Sequence, residues 1–151
     1  MLVSVIGAAA DSRLASFDSA AARLAGSDRE VVVTHGVPHP GNLVVANSGL
    51  MLVDWDTVAL DQPERDLWMI SDGTDSAWAG YEEATGRAPD TTTAALYRLA
   101  WQLTDLAAFT GQLRAGHRRN ADAEKAWTAI RGILASQEPA PYGSRLPQEA
   151  P

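Results

Sequence analysis

Cysteine is absent from the 151 residues, which excludes thiolate metal sites, sulfur redox chemistry and a disulfide-stapled scaffold. Lysine is almost absent too: Lys125 is the single one among 12 basic residues. Basic charge as a whole is in deficit. With 19 acids and a formal net charge of −7, nucleic acid and anionic membranes are poor partners. No long apolar run is present either. The stretch 1–10 is too short to span a bilayer and no basic residue precedes it, so neither a signal peptide nor an anchor is expected and the expected location is the cytoplasm. Internal repeats are lacking. What is there is an ordinary globular composition, 46% apolar and 21% charged with 12 Gly and 8 Pro, enough to bury the core of one domain.

Helical spacing comes first along the chain. Leu14, Phe17, Ala21 and Leu24 fall on one stripe between Asp11, an expected N-cap, and Gly26, an expected stop. Three short β-branched or aliphatic runs follow at Val31–Val33, Leu43–Ala46 and Leu50–Val53, the last two joined by the turn signal Asn47-Ser48-Gly49. Between the first and second runs, His35–Asn42 holds two Pro and two Gly, which excludes a regular helix or strand. Asp61-Gln62-Pro63-Glu64 has the form of a cap opening a helix to Ile70. Further helices are expected at Trp78–Ala84, ended by Gly86, at Asp90–Leu113, with Leu96, Leu99, Leu103 and Leu106 on a stripe, and at Ala121–Ala135 after Asn120, with Trp127, Ile130 and Leu134 on a face. The expected architecture is α+β and mainly helical, a small β-hairpin on a helical body spanning 1–136, followed by a disordered Pro-rich tail at 137–151.

Polar residues concentrate on either side of the hairpin, in Thr34–Asn42 and in Asp54-Trp55-Asp56. A hairpin of this length returns the chain on itself, so Asn42 and Asp54 are expected as neighbours. An amide oxygen beside a carboxylate is a hard-donor pair suited to Mg²⁺. The same residues also suit a turn cap and a strand-end acceptor, and spacing alone does not decide between the two.

The run His35-Gly36-Val37-Pro38-His39-Pro40-Gly41-Asn42, followed by strand, turn, strand and Asp54-Trp55-Asp56, resembles the catalytic core of the aminoglycoside phosphotransferase and choline kinase family. Pro63-Glu64-Arg65-Asp66-Leu67 is similar to its spectinomycin phosphotransferase branch. The resemblance implies the C-terminal lobe of a protein-kinase-like fold, with Asn42 and Asp54 as the Mg²⁺ ligands that hold ATP. It implies that His35, His39 and Asp66 brace the loop. Phosphoryl transfer needs positioning and charge neutralisation more than covalent chemistry, and a metal-clamped rigid loop supplies both. A zinc site made by the two histidines with Asp54 or Asp56 is the minor alternative.

Two departures from the family pattern bear on activity. The position where the family carries the aspartate that accepts the hydroxyl proton is Val37, which can accept none; a positioned base is worth about 10² to 10⁴ in rate. Asp56 is a weak substitute. The family's N-terminal lobe, with its sheet over the nucleotide and its phosphate-binding lysine, has no counterpart in the 34 residues before His35, and Lys125 lies in the last expected helix. That lobe is therefore expected to be missing.

Acidic charge is dense between Asp54 and Glu83, with nine acids and one base, Arg65, a net of −8. This favours a small cationic substrate, with Asp72, Asp75 and, from the long helix, Asp105 as candidate contacts, although a solvated acidic face reads equally well. The five tryptophans are expected mainly in the core. The functional expectation is an ATP-dependent phosphotransferase for a hydroxyl of a small cationic molecule, inactive or strongly impaired as this chain alone. The alternatives are a non-catalytic pseudokinase-like binding domain, or half of a split kinase completed by an N-lobe partner or by a second copy.

Overall fold

Most of the expected elements form where the local signals place them in the computed structural model, which describes residues 2–25, 29–47, 49–70, 75–115 and 121–136. In chain order they are α1 (Leu2–Ala25), β1 (Val32–Thr34), β2 (Leu43–Ala46), β3 (Gly49–Leu52), β4 (Ala59–Asp61), α2 (Glu64–Ile70), α3 (Asp75–Thr85), α4 (Thr91–Arg114) and α5 (Ala121–Ala135). Short 3₁₀ turns occupy Pro40–Asn42 and Trp55–Thr57. The chain divides into two units. One comprises α1, α5 and α4 from Arg98 onward; the other comprises the residues from Arg29 to Tyr97, with all four strands.

In the first unit, Leu106 packs with Ile130 and Ile133 to make a core, closed by Phe109, Leu113 and Leu134. Spacings of three and four bring these residues to one face of each helix. Ile133, outside the expected Trp127-Ile130-Leu134 set, is the fully buried member, while Trp127 and Leu134 are half-buried. The open carbonyls at the end of α5 are met from α1. Arg13 Nη2 donates to Ile133 O at 2.9 Å and Ser136 O at 3.0 Å, a side chain doing the work of a C-cap. Helix α1 begins at Leu2, so Asp11 is an exposed mid-helix residue and not its cap. Ala8, Ala9 and Ala10 are strong helix formers and carry the helix back across Gly7, which lowers helix propensity without ending it. The expected stop at Gly26, the cap at Asn120 and the tail at 137–151 lie outside the described residues.

The second unit contains two separate two-stranded antiparallel sheets instead of a lone hairpin. Strands β2 and β3 pair Leu43 with Leu52 and Ala46 with Gly49. Gly49 turns the chain at φ 116°, open to glycine at no steric cost. Strand β1 pairs with β4, Val32 opposite Asp61 and Thr34 opposite Ala59. Asp61 is thus a strand end and not the cap of α2: its Oδ1 accepts from Gln62 N and from the Tyr97 hydroxyl. Burial and this carboxylate together push the Tyr97 phenol well above its ordinary pKa.

Helices α2 and α4 begin against one polar group. Glu64, fully buried, accepts from Asp90 N at 2.9 Å through Oε1, and its Oε2 lies 3.7 Å from Arg87 Nη2. Asp90 caps α4 through Thr92 N and is paired with Arg29 at 2.5 Å. Partial burial raises the Asp90 carboxyl, but bonds from Arg29, from the Thr93 hydroxyl and from the Thr92 and Thr93 N–H groups outweigh it and hold its pKa at about 2. A folded pKa below the unfolded value gives stability that is present above about pH 4 and lost as pH falls towards 2. Unfolding free energies from urea titrations at pH 5 and pH 2.5 should therefore differ by less in Asp90→Asn than in the parent, by at most about 2 kcal/mol. Equal pH dependence in the two proteins would contradict this role.

Candidate functional site

The loop after β1 has too many Pro and Gly residues for regular structure, so its backbone must be held from outside. Asp66, in the first turn of α2, does this from below. Its Oδ2 accepts from His35 N and its Oδ1 from Gly36 N, both at 2.7 Å. His35 is buried and ties the loop to the end of the hairpin: Nε2 donates to Val53 O at 2.8 Å, and Nδ1 accepts from Val37 N at 3.2 Å. That pattern fixes a neutral imidazole protonated on Nε2. Trp55 packs edge-on against this ring, centroids 4.7 Å apart, and its Nε1 donates to Leu52 O. It is 48% exposed, so it departs from the expectation of a core tryptophan, whereas Trp68 is buried.

His39 orders the far end of the loop. Its Nδ1 accepts from Gly41 N at 2.9 Å and its carbonyl accepts from Asn42 N at 2.9 Å, which closes the turn Pro40–Asn42. Asn42 itself is buried. Its Nδ2 donates to Val37 O at 2.9 Å, and its carbonyl accepts from Val53 N at 2.9 Å, the next step of the β2–β3 ladder. The expected juxtaposition therefore forms, because a bond joins Asn42 to Val53 and Asp54 is the next residue. Asp54 stands in the left-handed region at φ 68° and ψ 59°, the one non-glycine with positive φ among the described residues. Such backbone costs an aspartate about 1 kcal/mol or more and is kept where the side chain's direction matters.

These observations bear on a divalent cation. The Asn42 amide gives its nitrogen to Val37 and so retains Oδ1 as an acceptor, while Asp54 is exposed and makes no capping bond with its carboxylate. Two hard oxygens one ladder step apart fit Mg²⁺, which binds through one or two protein oxygens together with water and phosphate. Zinc fits poorly. Among the described residues no three His, Cys, Asp or Glu side chains gather as a metal-binding group, and both described loop histidines have a ring nitrogen committed to backbone N–H.

Val37 is half-buried at the centre of the loop and offers no proton acceptor, and Asp56 lies exposed in the turn Trp55–Thr57. Asp72 is outside the described residues. Asp75 opens α3, with its side chain outside the described set, and Asp105 is half-buried on the α4 segment of the first unit. Arg65, Thr34 and Thr57 join the site although no local pattern assigns them a role in it. Arg65 Nη1 donates to Thr34 Oγ1 at 2.6 Å and Nη2 to Thr57 O at 2.9 Å, while Thr57 Oγ1 donates to His35 O at 2.7 Å. Gly36, at φ 94°, sits where the Arg65 head and Thr57 crowd the backbone.

Residues 6–101 match the family described as phosphotransferase enzyme family. Among solved structures the chain is similar to spectinomycin phosphotransferase, APH(9)-Ia, in complex with ADP and spectinomycin. The TM-score is 0.66 at 20% identity, over 85% of this chain and 43% of that one. The AMP-bound complex of the same enzyme gives a TM-score of 0.63 at 20% identity, over 87% and 43%. At this identity the likeness is one of fold, a kinase-like phosphotransferase fold, and the chain spans about 43% of the length of these relatives. No curated protein matches it significantly. No helix among the described residues is long and apolar enough to cross a membrane.

Proposed function

The chain belongs to the phosphotransferase enzyme family, and from that premise we propose that it is the metal- and nucleotide-binding part of an enzyme that moves the γ-phosphoryl group of ATP to a hydroxyl of a small cationic molecule. The observation that carries the reading is the Asn42–Asp54 pair, an oriented amide oxygen and a strained, exposed carboxylate beside a loop locked by Asp66 and His35. Asn42 and Asp54 would hold Mg²⁺, which when bound neutralises charge on the phosphate oxygens. Asp66 and His35 keep the loop rigid, so the pair is positioned before ligand arrives and little ordering remains to be done. Support for the nucleotide comes from relatives solved with ADP and AMP, and support for a cationic acceptor from the acidic stretch Asp54–Glu83 and from spectinomycin in one of those complexes.

Transfer also needs a group that takes the hydroxyl proton, and Val37 offers none. We therefore expect the 151-residue chain by itself to transfer phosphate slowly at best, about 10² to 10⁴-fold below an enzyme with a positioned base. The test is transfer of labelled γ-phosphate to spectinomycin and related aminocyclitols by the parent and by Val37→Asp. No substantial turnover is expected from either protein, because the segment matched covers under half of the relatives' length. Vigorous turnover by the parent would sink the impairment, and rescue by Val37→Asp alone would sink the need for any further segment.

A second reading is favoured by one observation. Val45 and Leu50, facing each other across β2 and β3, are 82% and 70% exposed, and Val44 and Met51 beside them are exposed as well. An apolar hairpin this open is suited to being covered by a further polypeptide segment. On this reading the chain is the partner-dependent half of a two-part kinase, or a pseudokinase-like binding domain. Analytical ultracentrifugation of the chain over a concentration series separates self-association from the need for a different partner.

A further inference from the structure

Asp66 holds the N–H side of the His35–Gly36 segment, and the neighbouring residue of α2 reaches its C=O side. Thr57 Oγ1 donates to His35 O, and Arg65 Nη2 donates to the carbonyl of that same Thr57. Arg65 Nη1 donates to Thr34 Oγ1, whose hydroxyl in turn donates to Ala59 O across the β1–β4 pair. Arg65 Nε lies 3.6 Å from Asp61 Oδ2, and Asp61 is the acceptor of the Tyr97 hydroxyl. The guanidinium is thus fixed on three sides, and it fills the space beneath Gly36. A Cβ at residue 36 would lie 2.4 Å from Arg65 Nη2 and 2.8 Å from both Arg65 Cζ and Thr57 Oγ1. A side chain at residue 36 would therefore have to displace the Arg65 head or Thr57, so only glycine, free to take φ 94°, leaves the guanidinium in place.

From Gly36 the consequence reaches Asn42, the proposed metal ligand, through one hydrogen bond. The Gly36 conformation places Val37, whose carbonyl accepts from Asn42 Nδ2, and that bond decides which way the Asn42 amide is turned. We propose that Arg65, working through Thr57 and Gly36, is a positioning residue that sets the Asn42 amide so that Oδ1 is offered to the cation; the cation itself rests on the metal reading above. The planar fork matters as much as the charge. Arginine reaches a hydroxyl and a carbonyl at once from a rigid head, which the single ammonium of lysine cannot reproduce.

The test uses the full chain with four substitutions: Arg65→Ala, Thr57→Val, Thr57→Ser and, as a control for stability alone, Arg13→Ala at the end of α5. Two readouts are taken, hydrogen exchange of the Asn42 side-chain amide by NMR and binding of Mn²⁺ with ADP by electron paramagnetic resonance. Arg65→Ala and Thr57→Val should each speed Asn42 exchange at least tenfold and weaken Mn²⁺ binding at least tenfold. Thr57→Ser should restore both, and Arg13→Ala should lower the melting temperature and change neither. Thr57→Val keeps the side chain's shape, so it answers the question even where Arg65→Ala does not fold. Unchanged Asn42 exchange in Thr57→Val, or an equal change in Arg13→Ala, overturns the proposal. If the parent binds no Mn²⁺ while Asn42 exchange responds as stated, the metal reading falls and the positioning of Asn42 by Arg65 is supported.

Discussion

Replacing Asp66 by alanine should cost about 3 to 6 kcal/mol of folding stability and remove metal and nucleotide binding together. Both carboxylate oxygens are engaged by backbone N–H groups, those of His35 and Gly36, at 2.7 Å. Bonds to a charged acceptor contribute about 1.5 to 3 kcal/mol each, which for the two together gives about 3 to 6 kcal/mol. His35 and Gly36 are buried, so water cannot easily take the place of the lost oxygens. A domain of this size has about 5 to 15 kcal/mol in total, which makes the loss a large fraction of the whole. Asp66→Asn tests the mechanism more finely. It keeps one acceptor but turns an NH₂ group toward one of the two N–H donors, so it should lie nearer the alanine variant than the parent. Chemical denaturation of the three proteins gives the result, and a cost below about 1 kcal/mol for Asp66→Ala would show that the loop holds itself.

Glu64→Ala should be almost as damaging, at about 3 to 5 kcal/mol, without any direct effect on the site's ligands. Glu64 has no exposed surface, and it meets two elements at once, the Asp90 backbone at the start of α4 and the Arg87 guanidinium. Truncation takes the carboxylate away from Arg87, whose Nη1 also donates to Glu30 O at 3.5 Å, and removes the acceptor of Asp90 N. Glu64→Gln keeps an oxygen for Asp90 N and loses only the charge facing Arg87, so it should recover roughly half of the loss. Melting temperatures of the two variants at pH 7 decide the matter. Equal damage from Gln and Ala would mean that the charge, and not the hydrogen bond, is what α2 and α4 require. Damage from neither would mean that the buried carboxylate is dispensable to the second unit.

Much of the site was legible in the sequence because its residues act over short spans. Asn42 precedes β2 and Asp54 follows β3, and a hairpin brings its two ends together whatever else the chain does. Strand β2 and helix α5 have the bounds their residues predict, since each is set by local signals, an aliphatic run closed by a turn and a helical stripe. Strand β4 was not legible. At three residues it is too short to show alternation, and its partner β1 lies 27 residues upstream of it. Its last residue, Asp61, carries every mark of a helix cap, and the strand pairing overrides them. Helix α1 ran past its expected cap for the opposite reason: alanine propensity over Ala8–Ala10 outweighs the capping preference of one aspartate. Arg65 was hidden in a motif whose recognised member is the next residue, Asp66. Its role depends on Thr34 and Thr57, 31 and 8 residues away, and no spacing rule links three such positions.

The proposed function requires that Asn42 and Asp54 form a working half-site for metal and nucleotide. Isothermal titration calorimetry of the chain with ATP, with and without Mg²⁺, on the parent and on Asp54→Ala tests that most directly. The prediction is heat of binding that requires Mg²⁺ and falls at least tenfold in affinity, about 1.4 kcal/mol, in Asp54→Ala. Binding that ignores Mg²⁺ or survives the substitution intact, or no binding at millimolar nucleotide, would contradict it.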